Sequence, residues 1–87
     1  MAFVYILKSL KNNRYYIGST INLANRLKEH NSGQSKYTKY NLPFKLVFNK
    51  KYETISEARK IESILKSYKS KKIIDKIVKE QTIKLRS

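Results

Sequence analysis

Twenty lysines and arginines, seven tyrosines, a single histidine and six carboxylates are the side chains of this 87-residue chain that could do chemistry. The cations give a formal charge of +14, and a compact chain repels itself at that charge unless a polyanion is usually near. DNA, RNA and an anionic membrane surface are the partner classes this balance admits. The tyrosines and three phenylalanines favour nucleic acid, because aromatic rings stack on bases. The carboxylates, Glu29, Glu53, Glu57, Glu62, Asp75 and Glu80, are too scattered to build a carboxylate-rich two-metal site. One carboxylate can still anchor a Mg²⁺ that keeps most of its waters and takes a phosphate oxygen from a substrate. Arg26 and His30 are four residues apart and share one face if they lie on a helix. With no cysteine, disulfides and thiolate metal sites are excluded.

Each of these residues also has a plainer reading. Tyr5 and Tyr16 can be half-buried core aromatics. Arg26 can pair with Glu29 or Glu62, and His30 can sit at a helix end where the dipole favours it. Glu62 precedes Lys66 by four residues, a spacing that gives a routine ion pair worth about 0.2–0.5 kcal/mol. Tyr37 and Tyr40, between Lys36 and Lys39 and beyond, can stack on bases or cover a core edge. The lysines from Lys66 to Lys79 can track phosphates or simply solvate a helix.

The elements that must position these residues follow from local pattern. Phe3-Val4-Tyr5-Ile6-Leu7 and Arg14-Tyr15-Tyr16-Ile17-Gly18 flank the polar Lys11-Asn12-Asn13, which reads as a β-hairpin. The first run is apolar but short, and no basic segment precedes it, so it is expected to be a strand and not a leader. Thr20 or Asn22 can cap a helix carrying Leu23, Ala24 and Leu27, which Asn31-Ser32-Gly33 stops. Residues 34–41 read as a basic loop, and Pro43 leads into a third strand from Phe44 to about Tyr52. Thr54 and Glu57 have capping-box spacing ahead of Ala58, Ile61, Leu65 and Tyr68. Ser70 caps a last helix with Ile73, Ile74 and Ile77. The order β-β-α-β-α-α makes an α+β domain over residues 1–79, with helices around a small mixed or antiparallel sheet and a basic tail at 80–87.

Val4-Tyr5-Ile6 and Tyr16-Ile17-Gly18 on consecutive strands, Arg26 to His30 on the first helix and Ser56 to Glu62 on the second form an ordered set. This set resembles the GIY-YIG nuclease superfamily. Lys36-Tyr37-Thr38-Lys39 followed by Pro43 resembles its small stand-alone bacterial branch, similar to the nuclease domain of the excinuclease C subunit. The likeness spans residues 3–78, and departs from the family name only where Val4 stands for glycine. It implies the GIY-YIG fold and a single-metal endonuclease using Mg²⁺ or Mn²⁺. By resemblance, Tyr5 accepts the proton of the attacking water, Tyr16 lines the pocket and positions a phosphate or water, Arg26 holds phosphoryl oxygens, His30 shuttles a proton or holds a phosphate, and Glu62 binds the metal. Gly18 lets the backbone pass close to the site, and Lys36, Tyr37, Thr38, Lys39 and Lys66 are expected to contact nucleic acid. The expected activity is hydrolysis of DNA phosphodiesters, selective for structure more than sequence, in cytoplasmic DNA repair or recombination. RNA is the other admissible substrate, a membrane is not expected, and a catalytically weak binding module is the alternative.

Overall fold

β1 (Ala2–Ser9) is the middle strand of a three-stranded antiparallel sheet in a computed structural model that describes residues 1–32, 42–68 and 70–83. β2 (Tyr15–Thr20) flanks it on one side and β3 (Phe44–Tyr52) on the other. The most apolar strand thus takes the position where every backbone group can pair and both faces are covered. α1 (Leu23–Asn31) follows β2, and α2 (Ile55–Ser67) and α3 (Lys71–Glu80) follow β3.

The hairpin between β1 and β2 is closed by its own polar residues. Ser9 Oγ accepts from the backbone N–H groups of Lys11 and Asn12. Asn13 takes the left-handed conformation at φ 61°, which asparagine tolerates better than most residues. Asn22, one of two candidate caps, is the N-cap of α1; its side chain accepts from Asn25 N at 3.1 Å. Thr54 caps α2 through Glu57 N, and Ser70 caps α3 through Ile73 N. Each cap satisfies an N–H that the helix itself leaves without a partner.

Alternation along β1 sends residues to two different cores. Ala2, Val4 and Ile6 join Phe48, Ala58, Leu65, Ile74 and Ile77 on the face covered by α2 and α3. Tyr5 and Leu7 join Phe44 on the face covered by α1, where Tyr16, Leu23, Leu27, Leu42 and Leu46 pack around them. Ala24, which shares the repeat of Leu23 and Leu27, is exposed, so α1 buries a narrower stripe than its sequence suggests. A register shift between Ile6 and Leu7 leaves Val47 unopposed, and such a bulge increases the local twist.

Candidate active site at the β2 edge

β2 is an edge strand, and its period-two alternation points residues to both faces of the sheet. Tyr15, Ile17 and Ser19 lie on the α2/α3 side: Ile17 packs on the large core, Ser19 meets α2, and Tyr15 meets α3. Tyr16 and Gly18 lie on the other side, where Gly18 pairs directly with Tyr5 of β1. A cleft of about 890 Å³ runs along this edge. Tyr5, Tyr16, Gly18, Arg26, His30, Glu62 and Lys66 all line it. Seven residues singled out in the sequence, from four different elements, therefore share one concavity. Lys36, Tyr37, Thr38 and Lys39 lie outside the described residues.

Gly18 makes room for Tyr5. A Cβ at position 18 would stand 2.3 Å from the Tyr5 hydroxyl oxygen and 2.5 Å from Cζ. The Tyr5 ring is only 5% exposed and cannot swing aside freely, so the absence of a side chain at Gly18 is what allows the phenol to reach the cleft. Its oxygen lies 3.3 Å from His30 Nε2. Phe44 supports this arrangement, with its ring edge-on to those of Tyr16 and His30 at 5.0 and 6.3 Å between centroids.

The electrostatics keep both partners neutral in the resting protein. Burial raises the Tyr5 pKa above its usual value; the Arg26 guanidinium opposes this, and the Glu62 and Glu29 carboxylates add to it. Burial lowers the His30 pKa, and Arg26 lowers it further against Glu29. A neutral imidazole with its proton on Nδ1 accepts at Nε2, and in that tautomer the Tyr5 hydroxyl donates to it. Arg26 itself is exposed one turn before His30, with Nη1 3.5 Å from Glu29 Oε2. Two plainer readings of the sequence thus hold alongside the shared cleft: Arg26 does pair with Glu29, and Lys66 Nζ lies 2.6 Å from Glu62 Oε2.

Ser19 is the residue that sequence reasoning missed. Its hydroxyl donates to Glu62 Oε1 at 2.5 Å and fixes the carboxylate from the opposite wall of the cleft. The alternation of β2 would have placed Ser19 on the α2 side, but nothing local marks its partner 43 residues away. Among the described residues no three His, Cys, Asp or Glu side chains cluster. The donor set is therefore one carboxylate. It fits a hard divalent ion held at one protein ligand, with water and phosphate oxygens in the remaining positions. Each Glu62 oxygen already has one partner, but a carboxylate offers about four acceptor positions.

Comparison with known proteins agrees with this geometry. Residues 1–75 match the family described as the GIY-YIG catalytic domain, and the chain belongs to that family. It is 43% identical over 70 residues to a UPF0213 protein of Listeria welshimeri, covering 79% of this chain and 77% of that one. A UPF0213 protein of Staphylococcus aureus is 40% identical over 80 residues, covering 91% and 95% respectively. The solution NMR structure of a UPF0213 protein from Bacillus halodurans matches with a TM-score of 0.58 at 32% identity, over 93% of this chain and 86% of that one. The three antiparallel strands and three helices are the GIY-YIG fold, and the family is a nuclease one, whose substrate class is nucleic acid.

Proposed function

We propose that the chain is a divalent-metal-dependent endonuclease that hydrolyses DNA phosphodiester bonds at the β2 edge. The observation that carries this reading is the hydrogen bond between the Tyr5 hydroxyl and His30 Nε2 inside the cleft that Arg26 and Glu62 also line. A phenol whose pKa is raised by burial is a poor base alone, but a neutral imidazole beside it can take its proton. Attacking water gives its proton to the Tyr5 oxygen as the Tyr5 proton passes to His30, so no free phenolate accumulates. The resulting imidazolium is then placed to return a proton. Arg26 lies beside this pair and donates its planar fork to the phosphoryl oxygens as charge builds on them. Tyr16, braced by Phe44, walls the pocket and limits how the phosphodiester can lie.

Glu62, held by Ser19, is the ligand for a single Mg²⁺ or Mn²⁺, which when bound supplies charge stabilisation at the phosphoryl and leaving oxygens. Glu62 keeps acceptor positions beside Ser19 and Lys66, so it can hold the ion with Lys66 still in place, and Lys66 faces the nucleic-acid backbone from the cleft wall. With the cleft built from most of the sheet edge, an 87-residue chain has little surface left for base readout. Shape-selective cutting, of the kind used in DNA repair or recombination, suits it better than recognition of a long sequence. A binding module without cleavage is the second reading, and the Lys66–Glu62 ion pair supports it, since a cation already neutralises the carboxylate.

The test is a cleavage assay with Mg²⁺ or Mn²⁺ on duplex, flap, junction and single-stranded DNA and on one RNA, each with an EDTA control. Metal-dependent cutting of at least one DNA is expected. Binding without cutting on every substrate would move the chain to the binding-module reading.

A further inference from the structure

The cleft does not end at the residues just described. It continues along β2 past Ile17, between Arg14 and Tyr15 on one side and Leu65, Ser70, Lys71 and Ile74 on the other. At about 890 Å³ it lies near the top of the range for small-molecule sites, roughly 300–1,000 Å³. That is more room than a single reacting phosphodiester needs. Four cations line it, Arg14, Arg26, Lys66 and Lys71, against the one carboxylate of Glu62. Lys66 is committed to Glu62 and Arg26 is shared with Glu29. Arg14 and Lys71 are exposed, and neither has an ion-pair partner among the described residues. Asp75, at i,i+4 spacing from Lys71, makes no ion pair with it; its Oδ1 accepts the hydroxyl of Tyr15, and it does not line the cleft. The cleft lining therefore includes two cations from outside the catalytic set, one from the hairpin and one from α3, while its one lining carboxylate, Glu62, is paired with Lys66.

We propose that Arg14 and Lys71 form a second phosphate subsite, which grips the backbone of the same nucleic-acid strand that is cut at Arg26 and Glu62. The inference rests on the nucleic-acid reading of the site and adds to it a direction and a length. A strand rises about 3.4 Å per residue, so the four steps from Ser19 to Tyr15 extend roughly 14 Å, with Arg14 one residue beyond. Successive phosphates along one strand are six backbone bonds apart, roughly 6–7 Å, which is more than the ~3.4 Å axial rise per nucleotide of a duplex. The second subsite thus falls roughly two to three nucleotides from the reacting phosphate. The bound strand runs parallel to the β2 edge.

The test measures binding of single-stranded DNA in EDTA across a salt series, so that its result does not depend on cleavage. Wild type is compared with the Arg14→Ala/Lys71→Ala double variant. A second double variant, Lys51→Ala/Lys60→Ala, removes the same charge from exposed positions outside the cleft. For single strands each phosphate contact contributes about 0.7 to the slope of log affinity against log salt. With a strand of about twelve nucleotides, the Arg14/Lys71 variant should lose about 1.4 of that slope and the control variant far less. A strand of about two nucleotides is too short to reach both subsites, so wild type and the Arg14/Lys71 variant should bind it alike. Arg14→Lys/Lys71→Arg should keep the wild-type slope. Equal losses in the two alanine variants, or a loss that does not depend on strand length, would overturn the second subsite while leaving the nucleic-acid reading standing. Absence of salt-dependent binding in wild type would overturn both.

Discussion

The two faces of the sheet are built to different standards. Among the described residues, the α2/α3 face carries eight buried ones in one contiguous cluster, with Ala58, Leu65, Ile74 and Ile77 supplied by its helices. The α1 face carries three of the described residues, and α1 itself has no buried residue. One of those three is Tyr5, a residue with a hydroxyl to offer. Fully burying a Leu or Ile side chain stabilises by about 1.5–3 kcal/mol, so among the described residues most of the apolar stabilisation resides on the α2/α3 face. The catalytic candidates Tyr5, Tyr16, Arg26 and His30 belong to the weaker face, where opening costs less. Glu62 alone projects from the stronger one. The site is assembled where the two meet, at the edge strand that both sides flank, so a firm support for the carboxylate faces a more adjustable support for the proton-transfer pair.

That contrast is broken most severely from the firm side. Leu65 is 1% exposed, and Leu65→Ala should cost about 2–5 kcal/mol in chemical denaturation. The half-buried Leu27 of α1 should cost clearly less when truncated, yet reduce cleavage by the protein that remains folded more than Leu65→Ala does. Equal stability losses would contradict the division of labour between the faces.

Gly18→Ala comes next. Its methyl would overlap the Tyr5 hydroxyl, forcing the ring from its place at a cost of about 1–3 kcal/mol and parting it from His30. Because the damage is a clash between two side chains, adding Tyr5→Ala should recover part of the stability and none of the activity. Additive losses in a double-mutant cycle would show that the two positions are not coupled.

Ser19→Ala sharpens the comparison from the other wall. Removing the hydroxyl that fixes Glu62 should weaken Mn²⁺ binding by about 10–100-fold, as loss of a group that orients a metal ligand typically does. The thermal midpoint should shift little, since Ser19 is only half-buried. Unchanged Mn²⁺ affinity in a binding titration would remove Ser19 from the site.

The smallest effect concerns Tyr15. Burial, together with the hydrogen bond to Asp75 and its charge, pushes the Tyr15 pKa up to about 12. The folded chain thus keeps a proton that the unfolded chain releases near pH 10. The resulting stability is present below about pH 10 and is lost as pH rises toward 12. Asp75→Asn should reduce that alkaline decline in denaturation curves, leaving the part due to burial, and should lower stability below about pH 10 by what the hydrogen bond to the carboxylate adds.

Much of this was legible in the sequence because it is local. Thr54 and Ser70 declare their helices by residue type and spacing, and the structure places both as N-caps. The β-branched and aromatic run from Phe3 to Leu7 declares a strand, and the structure places it in β1; its division between two cores shows only in the fold. The ordered tyrosine, glycine, arginine, histidine and glutamate positions were legible through family resemblance, and they do line one cleft. What stayed hidden is what depends on register between distant segments. Gly18 faces Tyr5 only because β1 and β2 pair as they do. Ser19 reaches Glu62 and Tyr15 reaches Asp75 across 43 and 60 residues, and neither serine nor tyrosine signals such a partner. Arg14 and Lys71 were two cations among twenty until the fold put both in the lining of the groove.

The central claim is that the phosphodiester reacts at the β2 edge with Glu62 holding the metal. The most direct test is single-turnover cleavage of the best-cut DNA by Glu62→Ala and wild type, with binding measured in parallel. Metal-dependent cutting should vanish in the variant. Affinity in EDTA should hold or rise, because Lys66 is freed from its carboxylate partner. Full cleavage by Glu62→Ala would contradict the metal assignment and move the reaction centre away from this cleft.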